Sequence, residues 1–459
     1  DAEFNCEFVS PPNGAKFKVN NMADERKTSR LLLFTMIRAN RKRRLVMHTA
    51  LNTLLERRRQ FLCVCYVMFM LGASRNVVAR LPRVRSCRRY DKNTGWWEKV
   101  WQTYSDIRFK KTFRVTRRTF SFILQRIGPE LQKQNVTEEP ISPEERLAIC
   151  LYRLGRGDYY YTIAEMVGRG LSTVNSIVHE VSKVLVENLW QETILSNMPK
   201  CRKEFEKKIV DMEELWQFPC TWAALDGCHI SMKCPPGGLS ACKEYHNFKN
   251  FYSIVLMALV DSNYRFIWGS CGFPGNSHDS VIFQSTNLWN SIQEGMLPTV
   301  GKHVGKVNIP PLIVADSAFP LRTWLMKPYN DAVLSPQQKY FNYRLSRARM
   351  VTECAYGQLK GRWRVLLKKN ESDKEQVRIT VLACMVLHNL CIMQGDTISK
   401  KLDLTIDPSS NEKRDREEVR KLLQMRECKP IHDNLKAASA IRNSLTVKLW
   451  AEKESGIVS

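Results

Sequence analysis

Two apolar stretches of this chain each carry a single aspartate, and this pattern strongly constrains the fold. Residues 221–230 form a strand-like run in which Asp226 is the only acid, and residues 311–315 form a shorter apolar run that ends at Asp316. A carboxylate embedded in apolar sequence is unfavourable unless it is paired or holds a cation. We therefore predict two buried strands with a functional site at their aspartates, because sites form at the strand ends of open α/β sheets.

The order of elements around these aspartates predicts an α/β domain. Two further apolar runs, 251–260 and 264–269, are joined by Asp261-Ser-Asn263, which is a hairpin signal. The elements predicted after them are a helix over 279–289, the strand at 311–315, and helices over 337–363 and 376–393. Three strands, a helix, a strand and then helices follow the RNase H-like order.

A third acid, Glu353, lies on the predicted helix 337–363, which is otherwise rich in Arg and Lys. For Glu353 taken alone, the spacing favours a salt bridge with Arg349 one turn earlier. The alternative is that Glu353 joins the two aspartates. Three or four converging acids would bind two Mg²⁺ or Mn²⁺ ions, since these hard cations take carboxylate oxygens, water and phosphate. One ion would activate the attacking water or 3′-hydroxyl and the other would stabilise the leaving oxygen.

The net charge favours a polyanionic partner. The 459 residues carry 71 Lys+Arg against 46 Asp+Glu, a net charge of +25. Residues 26–120 alone hold 25 Lys/Arg and four acids, interleaved with Trp and Phe. A block this basic indicates nucleic acid rather than a merely solvated face. The hydrophobic fraction of 44% excludes a chain that is disordered throughout.

A helix-turn-helix is expected at about 143–185. Ser142-Pro143 opens a helix, Gly168 closes a short second helix, and Leu171-Ser172-Thr173 opens a third. A plain helical hairpin is the alternative, because the last helix is poor in arginine. DNA contacts from this helix are expected at Thr173, Asn175 and Lys183.

Cysteine and histidine give weaker signals. A zinc site could be suspected at Cys228, His229, Cys234, Cys242 and His246. Zinc is not favoured, because the cysteines of this set lack the closely spaced pair that structural zinc sites use. We expect free thiols, as in a cytosolic or nuclear protein, with Cys63 and Cys65 in a core. On its apolar helix, His388 is expected to be a hydrogen-bonded core residue.

Five motifs in chain order resemble the DDE endonuclease domain of PIF/Harbinger transposases and of harbinger transposase-derived nucleases. They are Leu225-Asp-Gly-Cys-His-Ile230, Gly275-Asn-Ser-His-Asp-Ser280, Val314-Ala-Asp-Ser-Ala-Phe-Pro-Leu321, Val351-Thr-Glu-Cys-Ala-Tyr-Gly-Gln-Leu359 and Leu382-Ala-Cys-Met-Val-Leu-His-Asn-Leu390. The resemblance covers about 218–395. It implies that Asp226, Asp316 and Glu353 are the catalytic, metal-binding triad and that Asp279 is a further metal ligand. It therefore reverses the salt-bridge interpretation of Glu353.

The resemblance also implies a function. This is a DNA endonuclease or transposase of the Harbinger type, dependent on two Mg²⁺ or Mn²⁺ ions, that hydrolyses phosphodiester bonds at transposon ends and carries out strand transfer. Its implied partners are double-stranded DNA, a separately encoded Myb/SANT-like protein and a second copy of the chain, in the nucleus and also in the cytoplasm. The alternative is a domesticated DNA-binding or protein-interaction module that no longer cleaves DNA.

We therefore expect four parts in the chain. They are a basic arm over 1–90, partly disordered or helical in pieces, a helical region over 91–200, the DDE domain over 218–395, and a polar linker with a C-terminal helix over 396–459. The apolar runs of the arm are too short to span a bilayer. Further DNA-binding side chains are expected in the arm and beside Glu353: Arg41, Lys42, Arg43, Arg44, Arg57, Arg58, Arg59, Arg347, Lys360 and Arg362.

Overall fold

The chain divides into two compact units, Asp1–Arg88 and Arg89–Ser459. The computed structural model describes residues 22–79, 95–134, 140–298, 301–427, 429–431 and 435–456. In unit 1 the described residues form one helix of 58 residues, α1 (Met22–Ala79), where helical pieces were expected. Cys63 and Cys65, expected in a core, are exposed on this helix. The expectation fails because no other described element of unit 1 covers α1.

The first half of unit 2 is helical. Its helices are α2 (Trp96–Thr103), α3 (Asp106–Phe113), α4 (Arg117–Leu131), α5 (Pro143–Arg156), α6 (Tyr160–Val167), α7 (Leu171–Thr193) and α8 (Arg202–Trp216). Side-chain oxygens of Ser105, Thr116 and Ser142 accept hydrogen bonds from first-turn backbone N–H groups of α3, α4 and α5. Such caps satisfy donors that have no partner within the helix, and so fix where each helix begins.

The second half of unit 2 contains the strands and the remaining helices. The strands are β1 (Thr221–Ser231), β2 (Ser253–Val260), β3 (Phe266–Pro274), β4 (Lys302–Val304), β5 (Val307–Ile309), β6 (Leu312–Val314) and β7 (Leu325–Met326). The helices are α9 (Gly238–Tyr245), α10 (Asp279–Gln284), α11 (Asn287–Gln293), α12 (Pro336–Arg362), α13 (Lys374–Met393), α14 (Arg416–Leu422) and α15 (Lys436–Glu454).

Five of these strands form a mixed sheet in the order β3-β2-β1-β6-β7. β1, β2 and β3 are antiparallel neighbours, whereas β6 runs parallel to β1 and β7 runs parallel to β6. β4 and β5 form a separate hairpin. The predicted α/β class, with a central sheet preceded by a helical region, is therefore confirmed.

Helices cover both faces of the sheet. Successive side chains of a strand point to opposite faces, and along β2 Leu256 and Ala258 join one core while Val255 and Met257 join another. The first core also takes in α12, α13 and the N-terminal helices, and the second is closed by α8, α10 and α11. The N-terminal helices and the sheet thus share one hydrophobic core.

Helix α13 is the central helix of the larger core. Among the described helices it alone is long and apolar enough to span a membrane, and 67% of that apolar stretch is buried inside the protein. It packs against α7 and β3. His388 on α13 is 2% exposed, and its Nε2 lies 2.9 Å from the carbonyl oxygen of Tyr264. The prediction of a hydrogen-bonded core histidine is thus confirmed.

Two cysteines of the candidate zinc set are joined to each other. Cys234 and Cys242 form a disulfide, so the expectation of free thiols is wrong for this pair. The sequence could not show this, because the turn into α9 brings together two residues eight positions apart. Cys228 is a free buried thiol whose pKa is raised by burial. The ring of His229 packs against Phe251, and its Nδ1 lies 3.0 Å from Ser253 Oγ.

Candidate functional site

Three elements of the fold bring the predicted triad together. Asp226 lies within β1, Asp316 follows β6 directly, and Glu353 lies on α12. β6 runs parallel to β1, and α12 packs against both strands. The hydroxyl of Tyr356, one turn beyond Glu353, donates a 3.0 Å hydrogen bond to the Asp226 carbonyl oxygen. This hydrogen bond holds α12 against β1, with Glu353 near the strands that carry the two aspartates.

Arg349 on α12 links the two aspartates. Its Nη2 lies 3.2 Å from Asp226 Oδ2 and 3.8 Å from Asp316 Oδ2. The salt bridge with Glu353 that the local spacing favours is therefore replaced by contacts with residues far apart in sequence. The cause is burial: the Asp226 side chain is 2% exposed, and an ionised carboxylate there requires a nearby cation.

Glu353 is held by two arginines from the C-terminal part of the chain. Arg416 donates from Nε and Nη2 to the carboxylate of Glu353, at 2.8–3.0 Å. Arg420 Nη1 lies 2.8 Å from Glu353 Oε1 and 3.4 Å from Asp226 Oδ2. Arg349 and Arg420 thereby connect all three carboxylates into one charged cluster. We call residues 416–426, which supply the C-terminal arginines of this cluster, the arginine segment.

Backbone pairing fixes the arginine segment beside β1. His229 N donates to Gln424 O at 3.0 Å, and Arg426 N donates to Gly227 O at 3.2 Å. The ammonium group of Lys360 bridges the carbonyl oxygens of His229 and Leu423, at 2.9 and 2.6 Å. The arginine segment therefore extends the edge of β1 beyond the point where β6 stops pairing with it.

Asp279 forms a separate buried pair. Its Oδ1 lies 2.6 Å from Nε of Arg426, and both side chains are 1% exposed. Gly227 lies against this pair, since a Cβ there would be 3.0 Å from Arg426 Cδ and 3.2 Å from Asp279 Oδ1. The predicted fourth acid is thus adjacent to Asp226, and it is paired with Arg426.

The cluster perturbs the ionisation of its members. Burial raises the pKa of Asp316, the neighbouring Asp226 raises it further, and Arg349 offsets part of this effect. Burial acts to lower the pKa of Arg420, but the carboxylates of Asp226 and Glu353 outweigh it, so that this pKa is raised. Arg420 therefore remains a cation at every physiological pH.

The donor set fits a hard divalent cation, although the observed arrangement is not a metal site. In the described part of the chain, no three His, Cys, Asp or Glu side chains are close enough to hold one ion. The three carboxylates offer the oxygen ligands that Mg²⁺ and Mn²⁺ prefer, and they lie around shared guanidinium groups of Arg349 and Arg420. Guanidinium groups thus neutralise these carboxylates in this structure.

The predicted DNA-binding residues differ in accessibility. Those on α1 are exposed, as are Thr173 and Lys183 on α7, whereas Asn175 and Arg347 are half-buried. Two predictions require correction, because Lys360 is fully buried and Arg362 is 4% exposed. Lys360 donates to the two carbonyl oxygens named above, and Arg362 donates to the carbonyl oxygens of Arg114 and Asp396. Neither side chain is available to contact a DNA backbone.

The role of the arginine segment was not predicted from the sequence, because residues 416–426 fall within the expected polar linker. One signal was available: Arg416 and Arg420 are four residues apart and so lie on one face of a helix. Nothing local identifies their partners, because Glu353 lies more than 60 residues away in the chain.

Comparison with known proteins finds one matching family and several relatives. Residues 225–389 match the family described as DDE superfamily endonuclease. A protein from Arabidopsis thaliana named Protein ALP1-like is 27% identical over 378 residues, covering 79% of this chain and 88% of that protein. A second Arabidopsis thaliana protein, named Antagonist of like heterochromatin protein 1, is 27% identical over 68% of this chain and 81% of its own length. No solved structure matches this chain.

A human protein named Putative nuclease HARBI1 is 23% identical over 282 residues, covering 61% of this chain and 76% of its own length. The family match begins one residue before Asp226 and includes Asp279, Asp316 and Glu353. The match to the DDE superfamily endonuclease family thus spans all four candidate acids, and the chain is similar to proteins of which one is named a putative nuclease.

Proposed function

We propose that this chain is a divalent-metal-dependent DNA endonuclease or transposase of the Harbinger type, which hydrolyses phosphodiester bonds at transposon ends and transfers the resulting strand. The observation that carries the proposal is the convergence of Asp226, Asp316 and Glu353 from two strands and a helix onto shared guanidinium groups. Acids this buried that meet from distant parts of a chain are typical of functional sites.

The topology supports an RNase H-like catalytic domain. The antiparallel strands β1–β3, followed by β6 and β7 parallel to β1, agree with the strand order that the sequence predicts for this fold. A helix-turn-helix formed by α6 and α7 remains part of the proposal. Gly168 ends α6 in a left-handed conformation, and the side chains of Thr173 and Lys183 on α7 are exposed.

The proposed chemistry divides the work between carboxylates and arginines. Held by Asp226, Asp316 and Glu353, divalent ions would supply the Lewis acidity that activates an attacking water or 3′-hydroxyl and stabilises the leaving oxygen. Arg416 and Arg420 would then be available to another anion. Guanidinium groups make paired hydrogen bonds to phosphate oxygens, so these arginines would bind the DNA backbone beside the reacting bond.

The test is metal-dependent cleavage of a duplex that carries the element's terminal repeats. We expect the separate variants Asp226→Asn, Asp316→Asn and Glu353→Gln to reduce Mn²⁺-dependent cleavage by roughly two orders of magnitude or more, because each removes a metal-binding oxygen. DNA binding should persist. The matched control is Asp331→Asn, since Asp331 is exposed and has no ion pair among the described residues. Undiminished cleavage by any of the three variants would overturn the proposal.

One observation favours a second candidate, a domesticated module that binds DNA or protein without cleavage. All four acids are paired with arginine side chains, which balance the charge of the carboxylates. In the cleavage assay, tight DNA binding by the unmodified chain without any nicked or joined product would favour this candidate.

The proposal includes its partners and its location. Double-stranded DNA is the proposed substrate, contacted by the exposed arginines of α1. We further propose a separately encoded Myb/SANT-like partner, a homodimer that joins two transposon ends, and action in the nucleus. Sedimentation of the chain with and without terminal-repeat DNA tests the dimer, because synapsis of two ends requires two copies in one complex.

A further inference from the structure

A cavity of about 660 Å³ lies next to the carboxylate cluster. Its volume falls within the range of small-molecule binding sites. Four of its residues, Tyr343, Ser346, Arg347 and Met350, lie on one face of α12, and the next turn of that face leads to Glu353. Arg416 also lines the cavity, while its Nη2 lies 2.8 Å from Glu353 Oε1. One guanidinium group therefore separates the cavity from the candidate catalytic site.

The charged side chains that line the cavity are all cationic. They are Arg347, Lys413 and Arg416. Throughout the described ranges, neither Arg347 nor Lys413 forms an ion pair with a carboxylate. Cations that face a cavity without counter-charges attract an anionic ligand, since no internal salt bridge must be broken to bind it.

Aromatic rings form part of the remaining lining. Trp216 and Tyr264 meet edge to face, with ring centroids 6.1 Å apart, and Trp216 Nε1 donates a 3.1 Å hydrogen bond to Ser262 O. Tyr343 stacks on Tyr340 with one ring face, at a centroid distance of 6.1 Å, and is itself 58% exposed. The rings are thus held in place while aromatic surface remains open to a ligand.

We propose that this cavity binds one unpaired nucleotide of the DNA substrate, next to the phosphodiester bond that is cut. Its base stacks on Tyr343 and Trp216, and its phosphate contacts Arg347 and Lys413. Enzymes whose target is a base extrude that nucleotide into a pocket. Here an extruded nucleotide fixes the strand beside the reacting bond, and stacking on aromatic rings tolerates any base. This inference rests on the proposed function, because it supplies that site with a position for its DNA strand.

The experiment compares two DNAs without divalent metal, so that cleavage plays no part. A duplex with one unpaired 2-aminopurine and the same duplex fully paired are titrated with the full chain in EDTA, and the fluorescence of 2-aminopurine is followed. We expect tighter binding of the unpaired form together with quenching of the probe. Tyr343→Ala should reduce the preference roughly five- to one-hundred-fold, because it removes one stacking surface.

Two conservative variants serve as controls. Tyr343→Phe retains a ring and should keep the preference, and Lys413→Arg retains the charge and should keep the affinity. Lys413→Ala should weaken binding of the unpaired form more than Lys203→Ala does, since Lys203 lies exposed at the far end of α8. Circular dichroism establishes that each variant is folded.

The possible outcomes separate this inference from the proposed function. Equal affinity for the two DNAs, or a preference that survives in Tyr343→Ala, would overturn the nucleotide site even if the chain cleaves DNA with Mn²⁺. A preference that depends on Tyr343 would stand if cleavage failed, and the failure would then count against the nuclease alone.

Discussion

At the scale of single residues, the candidate site is defined by competition for the same carboxylates. Arg420 lies within 3.4 Å of Asp226 and 2.8 Å of Glu353, and so brings positive charge to two of the three predicted metal ligands. A metal ion held by the same carboxylates would be repelled by the positive charge of the guanidinium group, since both are cations. Metal binding is therefore expected to proceed with displacement of Arg420.

This competition predicts opposite effects of Arg420→Gln on the metal-free and metal-bound protein. Without metal, we expect the free energy of unfolding to fall by about 3 kcal/mol, because two buried carboxylates lose a shared partner. Mn²⁺ should stabilise the variant more than the unmodified chain and bind it more tightly. Thermal denaturation across a Mn²⁺ titration measures both effects.

The matched control is Arg378→Gln, which breaks the ion pair of Arg378 with Glu375 on the exposed face of α13. Surface pairs contribute little to stability, so this variant should resemble the unmodified chain. If Mn²⁺ stabilised Arg420→Gln and the unmodified chain equally, the guanidinium group and the ion would not compete for the same oxygens.

At the scale of elements, apolar periodicity was enough to place the elements that hold the acids. The predicted strand over 221–230 and helices over 337–363 and 376–393 differ from β1, α12 and α13 by at most two residues at each end. These are long segments whose burial leaves a clear pattern of apolar residues. Their candidate carboxylates were therefore located from sequence.

The elements that were predicted poorly depend on a single cap or on distant contacts. The helix expected over 279–289 is divided into α10 and α11, because the Thr286 hydroxyl caps the second by accepting from Trp289 N. The arginine segment follows a polar stretch, and its position depends on pairing with β1 about 200 residues earlier. Neither feature leaves a periodic signal in the sequence.

Helix α13 predicts a dependence of stability on pH. Burial lowers the pKa of His388 from 6.5 to about 4, opposed in part by its hydrogen bond to the Tyr264 carbonyl oxygen. Arg362 and Asp261 are the charged groups that act on it. The unfolded chain binds a proton near pH 6.5 and the folded chain does not, so His388 contributes stability above pH 6.5 that is lost as pH falls toward 4.

Replacing His388 with glutamine should remove this contribution while retaining an N–H donor for Tyr264. Between pH 7.5 and 5, we expect the unmodified chain to lose about 2 kcal/mol more than the variant. Urea denaturation at several pH values measures the difference. His303→Gln is the control, since His303 is exposed on β4 and its loss should leave the pH dependence in place. Parallel curves for His388→Gln and the unmodified chain would show that His388 is protonated equally in both states.

At the scale of the whole molecule, the positive charge is shared between the two units. Unit 1 carries 18 Lys/Arg and six Asp/Glu, and so contributes about half of the net charge of +25. The exposed side chains of α1 contain two arginine clusters, 41–44 and 57–59, with no ion pair among the described residues of that unit. The carboxylate cluster, by contrast, lies wholly in unit 2. Binding and cleavage of DNA are thus expected to be separable.

Deleting residues 1–88 tests this separation. We expect weaker binding of duplex DNA and a flatter dependence of log K on log salt concentration, because fewer counterions are released when fewer phosphates are contacted. Replacing Arg41, Lys42, Arg43 and Arg44 with glutamine keeps the length of α1 but removes four charges, and should reduce the slope by between about 1 and 4. Fluorescence anisotropy at several salt concentrations measures both. If the deletion changed neither the affinity for duplex DNA nor the slope of its salt dependence, α1 would have a role other than DNA binding. The cations of unit 2 would then be the residues that bind DNA.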